Sequence, residues 1–161
     1  MLPLLLLLLL LALPAPASAS HAGALWATVN ICDTERNPNV LGVRASMPGN
    51  GTEQTMWMRF SASYYDRSTE SWHPVGGKSR SPWIKVCDAR FKSRQAGRKF
   101  TIDPPSPVTS YVVRGIVQYQ WRRPSGKVAR RERQKTLGGH RTGKHADPHG
   151  YTAGVCEIKF P

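Results

Sequence analysis

Nine basic residues stand between positions 122 and 144: Arg122, Arg123, Lys127, Arg130, Arg131, Arg133, Lys135, Arg141 and Lys144. The only carboxylate among them is Glu132. Cationic groups at this density attract phosphate, sulfate or carboxylate polymers. Each contact releases a counterion, so affinity falls as salt rises. The ordinary use of such residues is to keep sheets from joining edge to edge and to keep the chain in solution. No aromatic ring other than His140 interrupts the run. Nucleic-acid bases therefore find no stacking platform within it, and binding is expected to follow charge density.

A second group, His140, His145, Asp147 and His149, reads His-x4-His-x-Asp-x-His. Imidazole and carboxylate are ligands for zinc and similar ions. The spacing matches no structural zinc pattern, and Arg141 and Lys144 repel a cation. The plainer reading is a polar loop with turns at Asp147-Pro148 and His149-Gly150. Acid/base hydrolysis needs two carboxylates facing one cleft, yet Asp33, Asp66, Asp88 and Asp103 occur singly beside expected turns. No nucleophile elbow, phosphate-cradling glycine loop or two-histidine zinc helix is present. Cys87 precedes Asp88, but no histidine is tied to that thiol. Trp57, Trp72, Trp83, Tyr64 and Tyr65 gather in the middle of the chain. Core packing is expected for most of them, and any that face outward offer a stacking surface for sugar rings.

The elements that would position these groups are strands. Tyr111, Val113, Val117, Tyr119 and Trp121 alternate with Arg114, Gln118 and Gln120, the period-two pattern of a half-buried strand. Similar alternation runs over 25–31, 41–47 and 56–64, with shorter strands over 83–87, 100–102, 128–137 and 155–160. Turn residues separate them at Asn37-Pro38-Asn39, Pro48-Gly49-Asn50-Gly51, Gly76-Gly77, Asp103-Pro104-Pro105-Ser106-Pro107 and Pro124-Ser125-Gly126. No sustained 3.6-residue stripe occurs. Seven or eight short strands predict an antiparallel β-sandwich of immunoglobulin-like or fibronectin-like type, with a small barrel as the alternative. Trp57 lies on a generic strand between Cys32 and Cys87, so the immunoglobulin reading rests on strand count. The basic residues fall on a hairpin whose two strands meet at Pro124-Ser125-Gly126, with a tip expected to project beyond the sandwich.

The chain has 161 residues and a formal net charge of +13, the size of one domain. A leucine run over 2–13 is followed by Pro14-Ala15-Pro16-Ala17-Ser18-Ala19, a small-x-small ending that predicts a signal peptide over 1–19 and a single domain over 20–161. The apolar run is about 12 residues, whereas a helix crossing a bilayer needs about 20. Export makes Cys32, Cys87 and Cys156 prone to oxidation, and all three pairings are open. Asn50-Gly51-Thr52 is a glycosylation acceptor if the host modifies exported chains.

Val29-Asn30-Ile31-Cys32-Asp33-Thr34, Leu41-Gly42-Val43-Arg44-Ala45, Met58-Arg59-Phe60, 111–117, Trp121-Arg122, Gly138-Gly139-His140 and the stretch from Asp147-Pro148 through Cys156 resemble a group of exported actinobacterial proteins of uncharacterised activity. The likeness spans most of 26–160. It implies a Cys32–Cys156 bridge joining the first and last strands, with Cys87 as the odd thiol.

The chain therefore reads as a secreted binding module without catalytic chemistry. It is expected to meet an anionic polymer (a wall polymer, an acidic glycan or nucleic acid) through Arg122, Arg123, Lys127, Arg130, Arg131, Arg133 and Lys135. No cofactor is expected. The rival readings are a small secreted hydrolase using the 140–149 loop, with or without a metal, and a structural or accessory domain that binds no polyanion.

Overall fold

A computed structural model describes residues 25–103, 109–141 and 143–160. The leader expected over 1–19 and most of the turn expected over 103–107 lie outside these residues. Nine strands are present among them: β1 (Trp26–Thr34), β2 (Asn37–Pro48), β3 (Thr55–Asp66), β4 (Ser71–Pro74), β5 (Ile84–Asp88), β6 (Ser93–Thr101), β7 (Ser110–Arg122), β8 (Val128–Lys135) and β9 (Cys156–Lys159). The protein is an all-β sandwich of antiparallel sheets. One sheet has the order β1-β2-β6. The other has the order β4-β3-β7-β8, with β5 also on β3 and β9 also on β7. Opposing β1-β2-β6 to β3-β7-β8 is the immunoglobulin-type division of strands A, B and E from C, F and G. The signature residues of that fold are placed differently: the fully buried tryptophan is Trp121 on β7, not Trp57 on β3.

The core follows from alternation. Met56, Met58 and Phe60 of β3, and Val113, Val117, Tyr119 and Trp121 of β7, face Leu41, Val43, Ala45 and Met47 of β2, all buried. The two large polar-tipped aromatics are satisfied across the sandwich. The Tyr119 hydroxyl donates to the Trp26 carbonyl at 2.8 Å, and Trp121 Nε1 donates to the Pro48 carbonyl at 3.1 Å. Burial pushes the Tyr119 phenol far above its usual range, so it remains a donor at any physiological pH. A glycine is required where β7 packs against Val43 of β2. A Cβ on Gly115 would lie 2.5 Å from Val43 Cγ2 and 2.8 Å from Thr136 Cγ2.

Cys32 and Cys156 form a disulfide, with Cα atoms 5.4 Å apart, that ties β1 of one sheet to β9 of the other. Such a bond suits an oxidising compartment. Beside it the Asp33 carboxylate accepts the Asn39 and Lys159 amides at 2.8 and 2.9 Å, so one side chain joins β1, β2 and β9. Cys87 is the free cysteine of the described residues, half-buried against the core. No helix among them is long and apolar enough to cross a membrane.

The structure corrects three details of the expected layout. The turn expected at Asn37-Pro38-Asn39 is instead a two-residue connection at Glu35-Arg36, closed by the Thr34 and Asn37 pair. Pro38 is accommodated because the ladder slips between Cys32 and Thr34, where no amide of β2 is required. Strand β4 is only four residues long and ends in proline, leaving no alternation to detect. Strand β6 begins seven residues before the expected Phe100, because an edge strand of Ser, Arg, Gln and Gly pairs through its backbone without an apolar face.

Two stability measurements follow. Replacing both Cys32 and Cys156 by Ala should cost about 2–5 kcal/mol in urea unfolding, since the bridge closes a loop of 124 residues' separation. Gly115→Ala should lower the melting temperature through overpacking of about 1–3 kcal/mol.

Candidate functional site

The basic hairpin is not a free arm. Strand β7 pairs with β3 up to Arg122 and with β8 from Ile116 to Arg122, so only the turn at Arg123, Pro124, Ser125, Gly126 and Lys127 extends past the ladder. Arg123 donates its amide to the Lys127 carbonyl at 2.9 Å, and Gly126, at φ +80°, donates to the Arg123 carbonyl at 2.8 Å. The positive φ explains the glycine.

Paired residues on neighbouring antiparallel strands share a face, so register determines where each charge points. Arg131, Arg133 and Lys135 pair with Gln120, Gln118 and Ile116, on the outer face of the larger sheet. Arg130 pairs with Trp121 and points the other way, over the Trp121 ring at 4.8 Å and against Glu132 at 2.9 Å. The expected set of seven basic residues is thus divided. Arg131, Arg133 and Lys135 share the outer face with Arg122. Arg130 lies on the opposite side, and Arg123 and Lys127 sit at the turn.

Three consecutive outer rows run across the sheet. They are Lys85, Trp57, Gln120 and Arg131; Arg59, Gln118 and Arg133; and Arg80, Ser61, Ile116 and Lys135. Their middle is amide, hydroxyl and indole with the buried Ile116 beneath, their margins are cationic, and none contains a carboxylate. Two cavities lie over them, one of about 610 Å³ bordered by Arg59, Trp83, Arg131 and Arg133 and also by Glu132, whose carboxylate is paired with Arg130, the other of about 430 Å³ bordered by Ser61, Gly76, Gly77 and Arg80. Gln118 and Arg133 border both.

Trp57, Trp72 and Trp83 come together on this face, whereas Tyr64 packs against the core and stacks on Tyr111 at 4.9 Å. Arg59 lies over the Trp83 ring at 4.6 Å, Arg122 over Trp83 at 5.3 Å and over Trp57 at 4.2 Å, and Arg114 over Trp72 at 3.9 Å. The amides add hydrogen bonds. Arg59 donates to Gln118 Oε1 through Nε at 2.9 Å and through its terminal nitrogen at 2.7 Å, while Arg122 Nε donates to Gln120 Oε1 at 2.9 Å. Scanning 122–144 along the chain cannot find this mixture, because Trp57, Trp72 and Trp83 arrive on other strands. A usable signal was the outward phase of Trp57 and Arg59 in the alternation of β3.

The histidine loop does something else. Residues 137–141 and 143–153 run along the edge of β1, with the Leu137 amide donating to the Ala27 carbonyl and Val29 and Ala153 each donating an amide to the other's carbonyl. His140 stacks on Trp26 with ring centres 4.9 Å apart, and Asn30 Nδ2 donates to the carbonyls of Lys144 and His145 at 3.0 and 3.1 Å. Asp147 Oδ2 accepts from Thr34 Oγ1 at 2.7 Å and Asn37 Nδ2 at 2.8 Å, and Oδ1 accepts from Arg36 at 2.8 Å. His149 is exposed. The four side chains are not brought together, and no set of three His, Cys, Asp or Glu is gathered for a metal among the described residues. Asn50 is exposed in the turn between β2 and β3, where its Oδ1 accepts the Thr52 hydroxyl at 2.7 Å.

No protein-family model matches the chain, and no curated protein sequence matches it.

The Thr34 hydroxyl, followed by Asn37 and Arg36, holds the Asp147 carboxyl below its usual range. Its contribution to stability is therefore complete above the ordinary carboxyl value near 3.9 and is lost as pH falls through the lower folded value. Asp147→Asn should melt below the parent at neutral pH. The gap should narrow on acidification below about pH 4, as read by melting temperature against pH.

Proposed function

We propose that this protein is an extracellular or envelope binding module, without catalytic chemistry of its own, that engages anionic polymers through Arg131, Arg133 and Lys135 on the outer face of the β7-β8 hairpin. The observation that carries the reading is the run of three carboxylate-free rows onto which these side chains project. Arg131 and Arg133 take part in none of the ion pairs formed among the described residues. Successive outward residues on a strand are about 7 Å apart, so β8 offers a polymer three evenly spaced cations. The predicted leader and the resemblance to exported proteins support the placement outside the cytosol.

The test is binding of single-stranded DNA, a sulfated glycan and an anionic wall polymer across a salt series. The parent is compared with a variant carrying Arg131→Gln, Arg133→Gln and Lys135→Gln. For the DNA arm, the slope of log K against log salt should shrink by about 2 in the variant, about 0.7 for each charge removed. An unchanged slope would move the contact off this face.

A further inference from the structure

Resting on that reading, we propose that the outer face of the larger sheet is a groove for one acidic polysaccharide chain, whose anionic groups are gripped by Arg59, Arg80, Arg114 and Arg133 and whose hydroxyls meet Gln118 and Ser61. The hairpin is then one wall of a site that crosses three strands.

Geometry argues for this ligand class. The rows run from Arg80 to Lys135 and from Arg59 to Arg133, so cations flank a polar floor on both sides. Neighbouring strands are about 4.8 Å apart, which places the backbones of Arg59 and Arg133 about 10 Å from each other. The two cavities over this floor share Gln118 and Arg133 and so adjoin, and Arg114 stands beside them over the Trp72 ring instead of in their lining. A nucleic-acid duplex or a flat headgroup layer meets only the rim of the cavities. Single-stranded nucleic acid binds by stacking bases on open rings, but Trp57, Trp72 and Trp83 each carry a guanidinium over the ring. Amide and hydroxyl groups on the floor match sugar hydroxyls instead.

One of these cations is under-satisfied. Arg114 Nε is buried with no hydrogen-bond partner among the described residues. Burial lowers the Arg114 pKa, and the charge of Arg133 lowers it further; burial and then Arg80 do the same to Arg59. Like charges held this close, by stacking and by Gln118, are preorganised for an oxyanion between them. Arg forks present paired N–H donors that a lysine cannot reproduce.

The experiment is calorimetric titration with a heparin oligosaccharide, an oligogalacturonate and single-stranded DNA of equal total charge, the first two separating sulfate from carboxylate. The parent is compared with Arg59→Lys, Arg114→Lys, Arg59→Gln and Arg114→Gln, and with Arg130→Gln, which lies on the opposite side of β8. Circular dichroism confirms folding. At least one glycan should bind tighter than the DNA. The Lys variants should lose about 10-fold or more in glycan affinity, the loss of a charged hydrogen bond, with the salt slope retained, while Arg130→Gln falls less. If all three polymers bind alike, or if the Lys variants match the parent, the groove is overturned and the hairpin reading survives. If no polymer binds at 0.15 M salt, both are overturned.

Discussion

The register between β3 and β7 governs this molecule. Ten consecutive pairs, from Thr55 with Arg122 to Tyr64 with Val113, join the two strands that lie at the centre of the larger sheet. Side chains alternate strictly between faces, so a slip of one residue would turn one strand over relative to the other, bringing Arg59 into the core for Phe60 or Gln118 for Val117. The register is held by what it buries. Trp121 and Tyr119 must reach the Pro48 and Trp26 carbonyls, and Gly115 must face Val43. The same constraint that completes the core therefore sets the outer rows.

The outer face concentrates positive charge at a cost that the surroundings offset in two ways. Stacking on Trp57, Trp72 and Trp83 covers the weakly hydrated faces of the guanidiniums while leaving their N–H edges available. Gln118 and Gln120 fix the direction of Arg59 and Arg122 without neutralising them. A carboxylate at either glutamine position would give stronger local pairing and would also consume the positive field. Across the smaller sheet the balance is different. There Asp147 and Asp33 are spent on tying loop and strand ends together.

Much of the sandwich could be read from the chain. The alternation of β7 identified its buried face residue by residue, and the β2 and β3 patterns did the same, because a half-buried strand must alternate. Edge strands carry no such obligation, which is why β4 and most of β6 were silent. The Cys32–Cys156 pairing came from resemblance; spacing alone left three options. For the candidate site, charge density was legible along 122–144, but direction was not: Arg130 and Arg131 are sequence neighbours on opposite faces. The guanidinium and indole contacts join residues such as Arg122 and Trp57 that only register brings together. The 140–149 loop attracted attention through residue types alone, and its partners, Trp26, Thr34 and Asn37, lie more than a hundred positions away.

The bridge between the first and last strands has a mechanical consequence. Tension applied to the chain on either side of the sandwich reaches Cys32 after six residues of β1 and Cys156 after three of β9. Beyond those points the load passes through a covalent bond and bypasses the sheets. Only these short flanking segments can be peeled away, so the ladders that shape the outer face carry no load when the domain is pulled.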